Sequence, residues 1–315
     1  MKYRQLGRSG LTVSAVGLGC NNFGGNAITY PNGPTYGFLD FDVSKAVIDA
    51  AFDNGVTLFD TSDVYARGGS EEYLGRILKD RRSEVVIATK WGSGLEDHVA
   101  WGSRRYIRQA AEASLRRLDT DYIDLYQMHW QDPKVPFEET LAALDELVTE
   151  GKVRYIGHSH FSGWEVAHTD WIARTKGTER FVSAQNYYSL LTRDAEKELI
   201  PALVEFGVGL LPYFPLENGI LTGRYRRGEI PTSGRMAGKP IPDTTFDEID
   251  RLTAFAEAHG RTLLELAIAG LAALPSVGSV IAGASKVEQV VANARAADWV
   301  LDEATVRDLQ ALLAV

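Results

Sequence analysis

Short apolar runs alternate with amphipathic stretches along nearly the whole chain. Eight runs rich in β-branched and aromatic residues predict strands at 13–18, 56–59, 85–89, 123–128, 153–157, 181–185, 208–213 and 277–282. Near-continuous apolar runs of this length are typical of parallel strands that are buried on both faces. The pattern therefore favours a parallel sheet whose connections pack on the outside.

Between these runs, apolar residues recur with the period of an α-helix. The predicted helices cover 44–54, 103–118, 137–150, 247–258, 262–273 and 302–313, and a further one begins near position 70. Ser44, Ser70 and Ser103 stand at the start of three stripes. A serine there can accept a hydrogen bond from a free N–H group of the first turn. We expect these serines to begin their helices.

Strands and helices that alternate without a linker predict one domain, a (β/α)8 TIM barrel over residues 1–315. The alternative is a doubly wound open sheet, which usually carries G-x-G-x-x-G after its first strand. The run from Gly17 to Gly25 does not fit that spacing. Two stretches lie outside the repeat: 3–13 predicts a hairpin on the barrel floor, and 214–246 predicts a long loop after strand seven. One of the two helices after this loop must be extra to the barrel.

Charge and composition narrow the class of protein. The net charge of −9 at pH 7 argues against nonspecific binding to nucleic acid or to anionic membranes. The N-terminus lacks the apolar core of a signal peptide, and no apolar run reaches spanning length. The one cysteine, Cys20, cannot form an intrachain disulfide, which fits a reducing compartment. We therefore expect a cytoplasmic protein, with its oligomeric state left open.

Four reactive side chains stand at or just past the ends of neighbouring strands. Asp60 and Tyr65 follow the second predicted barrel strand. Lys90 follows the third, and His129 follows the fourth. Each alone has an ordinary explanation, such as a turn cap or a surface lysine. Because the active site of such a barrel lies at the carboxyl ends of its strands, their convergence predicts a catalytic site.

These residue types suit reversible proton transfer to a carbonyl. A free tyrosine has a pKa of about 10, which is too high for efficient acid–base work near neutrality. The Lys90 ammonium is expected to stabilise the Tyr65 phenolate and lower that pKa, with Asp60 orienting the lysine. His129 can polarise the substrate oxygen. The set lacks an activated nucleophile and a carboxylate pair, which argues against covalent hydrolysis and glycosidase chemistry.

The chain resembles the aldo-keto reductase superfamily over most of its length. The resemblance runs through YRQLGRSGLTVSAVGLG (3–19), FDTSDVY (59–65), ATK (88–90), DLYQMHW (124–130), IGHSHF (156–161), AQNYYSLL (184–191), YFPLENGILTGRY (213–225) and AGASKVEQVVAN (282–293). It looks most like bacterial members close to the β subunits of voltage-gated potassium channels. The family's catalytic tetrad falls on Asp60, Tyr65, Lys90 and His129. The resemblance implies that Tyr65 donates the proton while NADPH delivers hydride to the carbonyl carbon.

The resemblance also implies where a nicotinamide cofactor binds. Ser159, His160 and Gln185 match the positions that hold the carboxamide, although the family usually has Asn where this chain has His160. Tyr213 matches the aromatic residue that stacks on the nicotinamide ring. The other expected contacts are Asp60 of the tetrad, Phe214, Pro215, Leu216, Gly219 and Gly223 in the pyrophosphate loop, and Gly283, Ser285, Lys286, Gln289 and Asn293 at the adenosine end.

The residues at the expected adenosine end also predict an anion-binding site without reference to the family. Ser285 and Glu288 predict a capping box, and Val287 is expected on the inner face of the helix that follows. A helix N-terminus with Lys286 beside it attracts anions such as a phosphate. This favours NADP(H). NAD(H) stays possible because relatives often carry Arg at the position of Ser285, and one lysine is a weaker clamp.

Aromatic residues near the barrel mouth predict the substrate pocket. Phe23, Trp91 and Trp130 are expected to line it, and the stretch 26–40 is expected to cap it. An aromatic wall favours aldehydes, ketones or sugars. We therefore expect an NADP-dependent oxidoreductase that reduces carbonyls or oxidises the alcohols.

Two alternatives stay open from the sequence. The first keeps the fold and cofactor but makes the protein an NADPH-binding, redox-sensing module with slow turnover, like the channel β subunits. The second is a metal-dependent hydrolase. It rests on His158 and His160, which would share a strand face by alternation, but no third ligand is obvious. No metal is expected.

Overall fold

The computed structural model describes residues 1–25, 38–93 and 99–314, and the backbone of 28–29 and 35–36. Its strands are β1 (Tyr3–Gln5), β2 (Thr12–Ser14), β3 (Val16–Gly19), β4 (Ile28–Thr29), β5 (Thr35–Tyr36), β6 (Leu58–Asp60), β7 (Val86–Trp91), β8 (Ile123–Met128), β9 (Val153–Ser159), β10 (Ser183–Gln185), β11 (Gly209–Leu210) and β12 (Val280–Gly283). Its helices are α1 (Phe41–Asp53), α2 (Gly69–Leu78), α3 (Arg104–Leu118), α4 (Phe137–Thr149), α5 (Gly163–Lys176), α6 (Leu199–Phe206), α7 (Asp243–Ala258), α8 (Leu263–Ala272), α9 (Val287–Ala296) and α10 (Glu303–Leu313). Within these ranges, no helix has both the length and the apolar character needed to cross a membrane.

Eight of the strands form one parallel sheet that curls into a barrel. Their order is β11-β10-β9-β8-β7-β6-β3-β12. The two edges of this sheet meet beside β12, where Leu210 bridges Val277 and the Leu210 amide donates to the Ser276 carbonyl at 2.6 Å. The predicted (β/α)8 fold is therefore confirmed, and the open sheet is wrong.

The N-terminal hairpin closes the bottom of the barrel. β1 pairs antiparallel with β2, and Leu6 in the turn between them is fully buried. Leu6, Leu11 and Val13 pack against the lowest inward side chains of the strands, among them Leu58 and Leu125. The hairpin expected on the barrel floor is therefore present, and it shares one apolar cluster with the barrel interior.

Side chains alternate along each strand, which separates the barrel interior from the helix side. On β7, Val86 and Ala88 point inward and join the floor cluster. Ile87 and Trp91 point outward into the core between sheet and helices. Lys90 is the next inward position above Ala88. The strand therefore places an ammonium group above an apolar floor.

The first predicted strand, 13–18, is in fact the end of one strand and most of another. Ser14 ends β2 in the hairpin, and β3 begins at Val16 in the barrel. The Ser14 hydroxyl donates to the Val16 carbonyl at 2.7 Å and so stabilises the corner between the two strands. The sequence pattern did not show this corner, because the residues on both sides of it are buried and form one near-continuous apolar run. β8 matches its predicted run, 123–128, at both ends, and the other barrel strands fall on their predicted runs with shifted ends.

The predicted helix starts at Ser103 and Ser70 have different outcomes. The Ser103 side chain accepts a hydrogen bond from the Tyr106 amide and caps α3, as expected. The start at Ser70 is wrong, because Gly68 precedes α2. The Ser70 hydroxyl instead donates to the Cys20 carbonyl at 2.8 Å. It therefore fastens α2 to the loop after β3.

The predicted start of the first outer helix at Ser44 is also wrong. α1 begins at Phe41, and the Asp40 carboxylate accepts a hydrogen bond from the Val43 amide at 2.9 Å. Ser44 lies inside this helix and is fully buried. The aspartate competes successfully because it also places a negative charge at the positive end of the helix dipole.

α7 is the helix that is extra to the barrel. α8 packs against β12 and α9, so it belongs to the outer ring, whereas α7 packs on α8 and α10. The predicted loop 214–246 is interrupted by a 3-10 helix at Glu217–Thr222 and ends where α7 begins, at Asp243. Between these two elements, Arg235 reaches Asn21 and Asn22 just after β3.

His158 and His160 lie on different sides of the barrel wall, so the shared face expected from alternation is wrong. His158 is fully buried on the helix side, where its ring stacks on Phe161 with 4.1 Å between centroids. His160 has a φ of 63°, so the chain has left strand geometry at this residue and its ring turns towards the mouth. No three His, Cys, Asp or Glu side chains of the described ranges come together as metal ligands.

His158 is a buried histidine whose two ring nitrogens have no hydrogen-bond partner in the described part of the chain. Burial lowers the pKa of His158 to about 3. The folded protein therefore holds it neutral, whereas the unfolded chain protonates it with a pKa of about 6.5. Its contribution to stability is complete above that value and is lost as the pH falls from there towards the folded pKa.

We predict that His158→Phe flattens the acid side of the stability profile. The variant should lose less thermal stability than the wild type between about pH 6.5 and pH 5, because the unfolded state no longer gains a proton at this position. Thermal unfolding at several pH values measures the slope. His259→Phe, at an exposed histidine, is the control and should keep the wild-type slope. Equal slopes in wild type and His158→Phe would contradict the prediction.

We also predict that Leu6→Ala lowers the free energy of unfolding by about 2–4 kcal/mol, because it leaves a cavity in the floor cluster. Denaturant unfolding monitored by far-UV circular dichroism measures the loss. Val204→Ala removes an apolar side chain that is 59% exposed, and should shift the midpoint much less. A Leu6 variant as stable as this control would show that the hairpin does not support the barrel.

Candidate active site

A layer of polar side chains lies directly above the apolar floor of the barrel. Asp60 ends β6, Lys90 precedes the last residue of β7, and Gln127 lies near the end of β8. Gln185 ends β10 on the far side of Ser159 and β9. All are buried and occupy inward positions. Because the strands are parallel, their carboxyl ends bring these groups to one end of the barrel.

A buried ion pair holds this layer together. The Lys90 ammonium donates to Asp60 Oδ2 at 2.8 Å and to the Thr61 carbonyl at 2.7 Å. Lys90 is fully buried, and Asp60 is 4% exposed. The other carboxylate oxygen, Oδ1, accepts from the side-chain amides of Gln185 at 2.7 Å and Gln127 at 3.3 Å. Both charges thus have hydrogen-bond partners, which is the condition for burying an ion pair at acceptable cost.

Tyr65 lies over the ammonium end of this pair. The Lys90 nitrogen is 5.1 Å from the centre of the Tyr65 ring. Ala66 and Arg67, which follow the tyrosine, have φ values of 52° and 53°. Left-handed backbone costs such residues about 1–2 kcal/mol each. Gly24 makes room for this turn, since a Cβ there would lie 2.3 Å from the Ala66 side chain.

His129 also lies next to Tyr65. Its amide donates to the Trp91 carbonyl at 2.8 Å, which fixes the residue just beyond β8. The imidazole is edge-on to the Tyr65 ring, with 6.2 Å between centroids. Burial, the Lys90 charge and His160 together hold the pKa of His129 well below its ordinary value. The ring is therefore neutral near pH 7, so it interacts with a ligand by hydrogen bonding and not as a cation.

The four residues expected to form the tetrad are thus neighbours in space. The sequence reasoning missed Gln127, which the same alternation could have found, because it lies two residues past the inward Leu125. It also missed Ser62, whose hydroxyl lies 3.3 Å from His129 Nδ1. That contact joins two loops and left no signal in the sequence.

His160 connects the barrel mouth to a row of aromatic rings. This aromatic wall consists of Trp130, Tyr213 and Tyr187. Its Nδ1 lies 2.9 Å from the His129 carbonyl, which can only accept, so Nδ1 carries the proton. Burial lowers the pKa of His160, so Nε2 is bare and accepts from the Tyr213 hydroxyl at 3.2 Å. Trp130 stacks on the ring at 3.6 Å and 6°. His160 therefore differs from the expected carboxamide donor, since both of its nitrogens already have protein partners.

The other residues expected at the carboxamide lie beside this wall. The Ser159 hydroxyl donates to the Gln185 backbone carbonyl at 2.6 Å. Since the Gln185 NH2 group is held by Asp60, its side-chain oxygen is the atom left to accept a bond from a ligand. The Tyr213 ring stacks on Tyr187 with 5.4 Å between centroids. The mouth thus presents one aromatic plane and one amide oxygen side by side.

The expected pyrophosphate loop follows Tyr213 and is tightly wound. Phe214 and Gly219 have φ values of 51° and 92°, and Gly223 has one of 74°. Between them, Pro215 is buried, and Leu216 packs partly against the core. The loop therefore has a defined shape beside the mouth.

The segment expected at the adenosine end differs from its prediction at the helix start. Lys286, and not Ser285, is the residue before α9, and no side chain caps this helix. The Ser285 amide and hydroxyl instead donate to Gln289 Oε1 at 2.8 and 3.2 Å. The capping box expected with Glu288 is therefore wrong, as is the inner position of Val287, which is 38% exposed.

The anion-binding features of this end are nevertheless present. Lys286 is exposed beside the uncapped N-terminus of α9, where free N–H groups and the helix dipole favour negative charge. Gly283, at the end of β12, is exposed, and Asn293 is buried on α9.

The sequence reasoning missed a second cation at this end. Arg235, in the loop after the 3-10 helix, donates to the side-chain oxygens of Asn21 and Asn22, each at 3.2 Å. Asn22 donates in turn to the Ala284 carbonyl at 3.3 Å, next to the start of α9. The guanidinium also lies 5.2 Å from the centre of the Phe214 ring. Only folding brings position 235 to positions 21 and 284, so the sequence held no signal for it.

The three residues expected to line the substrate pocket do not lie together. Trp130 is 46% exposed at the mouth. Trp91 is fully buried and stacks on Tyr126 behind the barrel wall, because Lys90 takes the inward position. Phe23 is also fully buried. Of the three, only Trp130 presents a surface to a ligand. The stretch 26–40, expected as a cap, lies mainly outside the described residues.

Comparison with known proteins identifies the family of this chain. The sequence model of the Aldo/keto reductase family matches residues 15–314. The chain is 36% identical over 312 residues to a probable voltage-gated potassium channel subunit beta of Oryza sativa subsp. japonica, covering 95% of this chain and 92% of that protein. It is 35% identical over 314 residues to probable aldo-keto reductase 1 of Glycine max, covering 97% and 87%. It is also 35% identical over 304 residues to versiconal hemiacetal acetate reductase of Aspergillus parasiticus, covering 88% and 87%. The chain therefore belongs to the aldo/keto reductase family and is an oxidoreductase of carbonyl compounds.

Proposed function

We propose that this protein is an NADP(H)-dependent reductase of aldehydes or ketones, or the dehydrogenase of the corresponding alcohols and sugars, with Tyr65 as its general acid and base. The observation that carries the proposal is the clamped Lys90 ammonium, 5.1 Å from the centre of the Tyr65 ring and bonded to Asp60. A fixed positive charge beside a phenol stabilises the phenolate that remains after proton donation.

His129 completes the catalytic group. As a neutral imidazole it donates a hydrogen bond to the substrate oxygen through Nε2, while Tyr65 transfers its proton to that oxygen. In the oxidation direction, the Tyr65 phenolate accepts the proton of the alcohol. A reduced nicotinamide, when bound, supplies hydride to the carbonyl carbon.

The residues around the mouth fit a dinucleotide phosphate. Tyr213 offers an aromatic plane and Gln185 an amide oxygen at the nicotinamide end. Lys286 lies beside the N-terminus of α9, and Arg235 bonds to Asn22, which in turn bonds to the Ala284 carbonyl just before this helix. A clamp of two cations suits a terminal phosphate, which supports NADP(H) over NAD(H).

We predict that Tyr65→Phe lowers kcat for aldehyde reduction about 100- to 10,000-fold, because the proton donor is lost. Affinity for NADPH, measured by fluorescence titration, should stay within a few-fold of wild type. NADPH oxidation with a panel of aldehydes, ketones and sugars measures turnover. Tyr3→Phe, at a residue that is 53% exposed on the opposite end of the barrel, is the matched control. Equal kcat values in Tyr65→Phe and wild type would exclude the proposed role of Tyr65.

The second candidate function is an NADPH-binding, redox-sensing regulatory module. It is favoured by the similarity to a protein named as a channel β subunit. It predicts tight NADPH binding with slow turnover on every substrate of the panel. Fast, Tyr65-dependent turnover on any of them would favour the enzyme.

We predict that Lys286→Ala weakens NADPH binding about 10- to 100-fold and NADH binding far less, because a charge-assisted hydrogen bond contributes roughly 1.5–3 kcal/mol. Arg235→Ala should act in the same direction. Dissociation constants for both cofactors, measured at fixed ionic strength, test this. The control is Lys2→Ala, an exposed lysine at the barrel floor. Equal losses for NADPH and NADH would show that Lys286 does not recognise the extra phosphate.

A further inference from the structure

A short hydrogen-bonded chain leads from the catalytic histidine to a carboxyl group outside the tetrad. The Ser62 hydroxyl lies 3.3 Å from His129 Nδ1 and 3.2 Å from Asp63 Oδ1. Ser62 is fully buried, so water does not replace it easily. Because Nδ1 faces the serine, Nε2 is the ring nitrogen that a substrate in the mouth can meet.

The backbone holds the middle of this chain in place. The Asp63 amide donates to the Lys90 carbonyl at 3.1 Å, and the Tyr65 amide donates to the Ser62 carbonyl at 3.2 Å. The loop with the serine and aspartate is therefore tied both to the strand that carries the catalytic lysine and to the catalytic tyrosine. A change of proton position can pass along the chain without movement of the backbone.

The Ser62 hydroxyl has only one proton, so it can donate to either Asp63 or His129 but not to both. The hydrogen-bonded chain of these three residues therefore has two ordered states. When Asp63 is ionised, Ser62 donates to it, and the serine oxygen accepts the proton of His129 Nδ1. His129 Nε2 is then bare. When Asp63 is protonated, it donates to Ser62, and Ser62 donates to a bare Nδ1. The proton of the neutral imidazole then lies on Nε2.

The groups around the chain favour a change between these states near neutral pH. Burial and the carboxylate of Glu71 raise the pKa of Asp63 to about 7, against the lowering effects of Ser62 and Arg117. Glu71 is fully buried and bonded to Arg117 at 2.6 Å. Burial lowers the pKa of His129 well below its ordinary value, and Lys90 and His160, which it faces, add to this effect, so the ring is neutral in both states.

We propose that Asp63 and Ser62 are positioning residues that set the tautomer of His129, and thereby make the rate of the reaction depend on pH. This rests on the proposed function, because it assigns regulation to the same site. Protonation of Asp63 gives a Nε2–H donor, which a carbonyl oxygen needs during reduction. Ionisation of Asp63 gives a bare Nε2, which cannot donate to that oxygen in either direction of the reaction.

The proton balance of the change is simple. One proton enters from solvent at Nε2, the Nδ1 proton moves to the Ser62 oxygen, and the serine proton moves to Asp63. One proton is gained in total, and no other bond changes. No redox partner is required.

The direct test is the tautomer of His129 in the whole protein, without turnover. Protein labelled with ¹⁵N-histidine is compared by NMR well below and well above the titration of Asp63, and the His129 signals are identified by their loss in His129→Gln. We expect Nε2–H at the lower pH and Nδ1–H at the higher pH. The same tautomer at both pH values would overturn the proposal, even if Tyr65-dependent reduction is intact.

Variants separate the relay from a merely structural role. Ser62→Ala cuts the chain and Asp63→Asn cannot titrate, so neither should show a change of tautomer with pH. Ser62→Thr keeps the hydroxyl and should restore it. Asp121→Asn, at an exposed aspartate, is the matched control and should behave as wild type. A pH-dependent tautomer in Ser62→Ala would overturn the proposal.

Kinetics give a second readout. Loss of one donor to a developing oxyanion costs about 100-fold in kcat. Wild-type reduction should therefore fall by roughly this factor through the Asp63 titration, with little change in KM for NADPH. Ser62→Ala and Asp63→Asn should lack this step. A step retained in both variants would contradict the proposal. Absence of turnover in wild type, together with a tautomer that still changes, would instead contradict the proposed function alone.

Discussion

The buried ion pair between Lys90 and Asp60 is the constraint on which the rest of this site depends. A fully buried ammonium is tolerated only because a carboxylate and the Thr61 carbonyl accept its hydrogen bonds. The carboxylate in turn needs the side-chain amides of Gln127 and Gln185. Removing one member leaves a buried charge without its partner, at a cost of about 3–5 kcal/mol. The apolar floor below keeps water out and so strengthens the electrostatic interactions above it.

Backbone hydrogen bonds extend this rigidity beyond the strand ends. The Asp63 amide donates to the Lys90 carbonyl, and the His129 amide donates to the Trp91 carbonyl. The His160 amide donates to the Gln185 carbonyl in the same way. Each functional loop is thus tied to a neighbouring strand within its first few residues. Catalytic groups that must keep their geometry gain from such fixed supports.

His160 shows how one substitution within a family pattern changes the network around it. The family resemblance implies Asn at this position, and the imidazole here joins the His129 carbonyl to the Tyr213 hydroxyl. Its flat ring also supports Trp130. An asparagine side chain has no ring to stack and a shorter reach. His160 therefore couples the aromatic wall to His129, and leaves Ser159 and Gln185 as the polar groups beside the wall.

The amino-acid pattern was enough to predict the barrel, its floor and the four catalytic candidates. Apolar runs with strand and helix periods specify which segments are buried, and parallel strands bring their carboxyl ends together. The outward direction of Trp91 was also readable, because Lys90 must point inward. Tertiary structure alone decided the other contacts: Arg235 against Asn21, Ser62 against His129, and the partners of His160. The first two contacts join loops that are distant along the chain. The contacts of His160 depend on its left-handed backbone conformation. Neither the period of a strand nor that of a helix specifies where such side chains point.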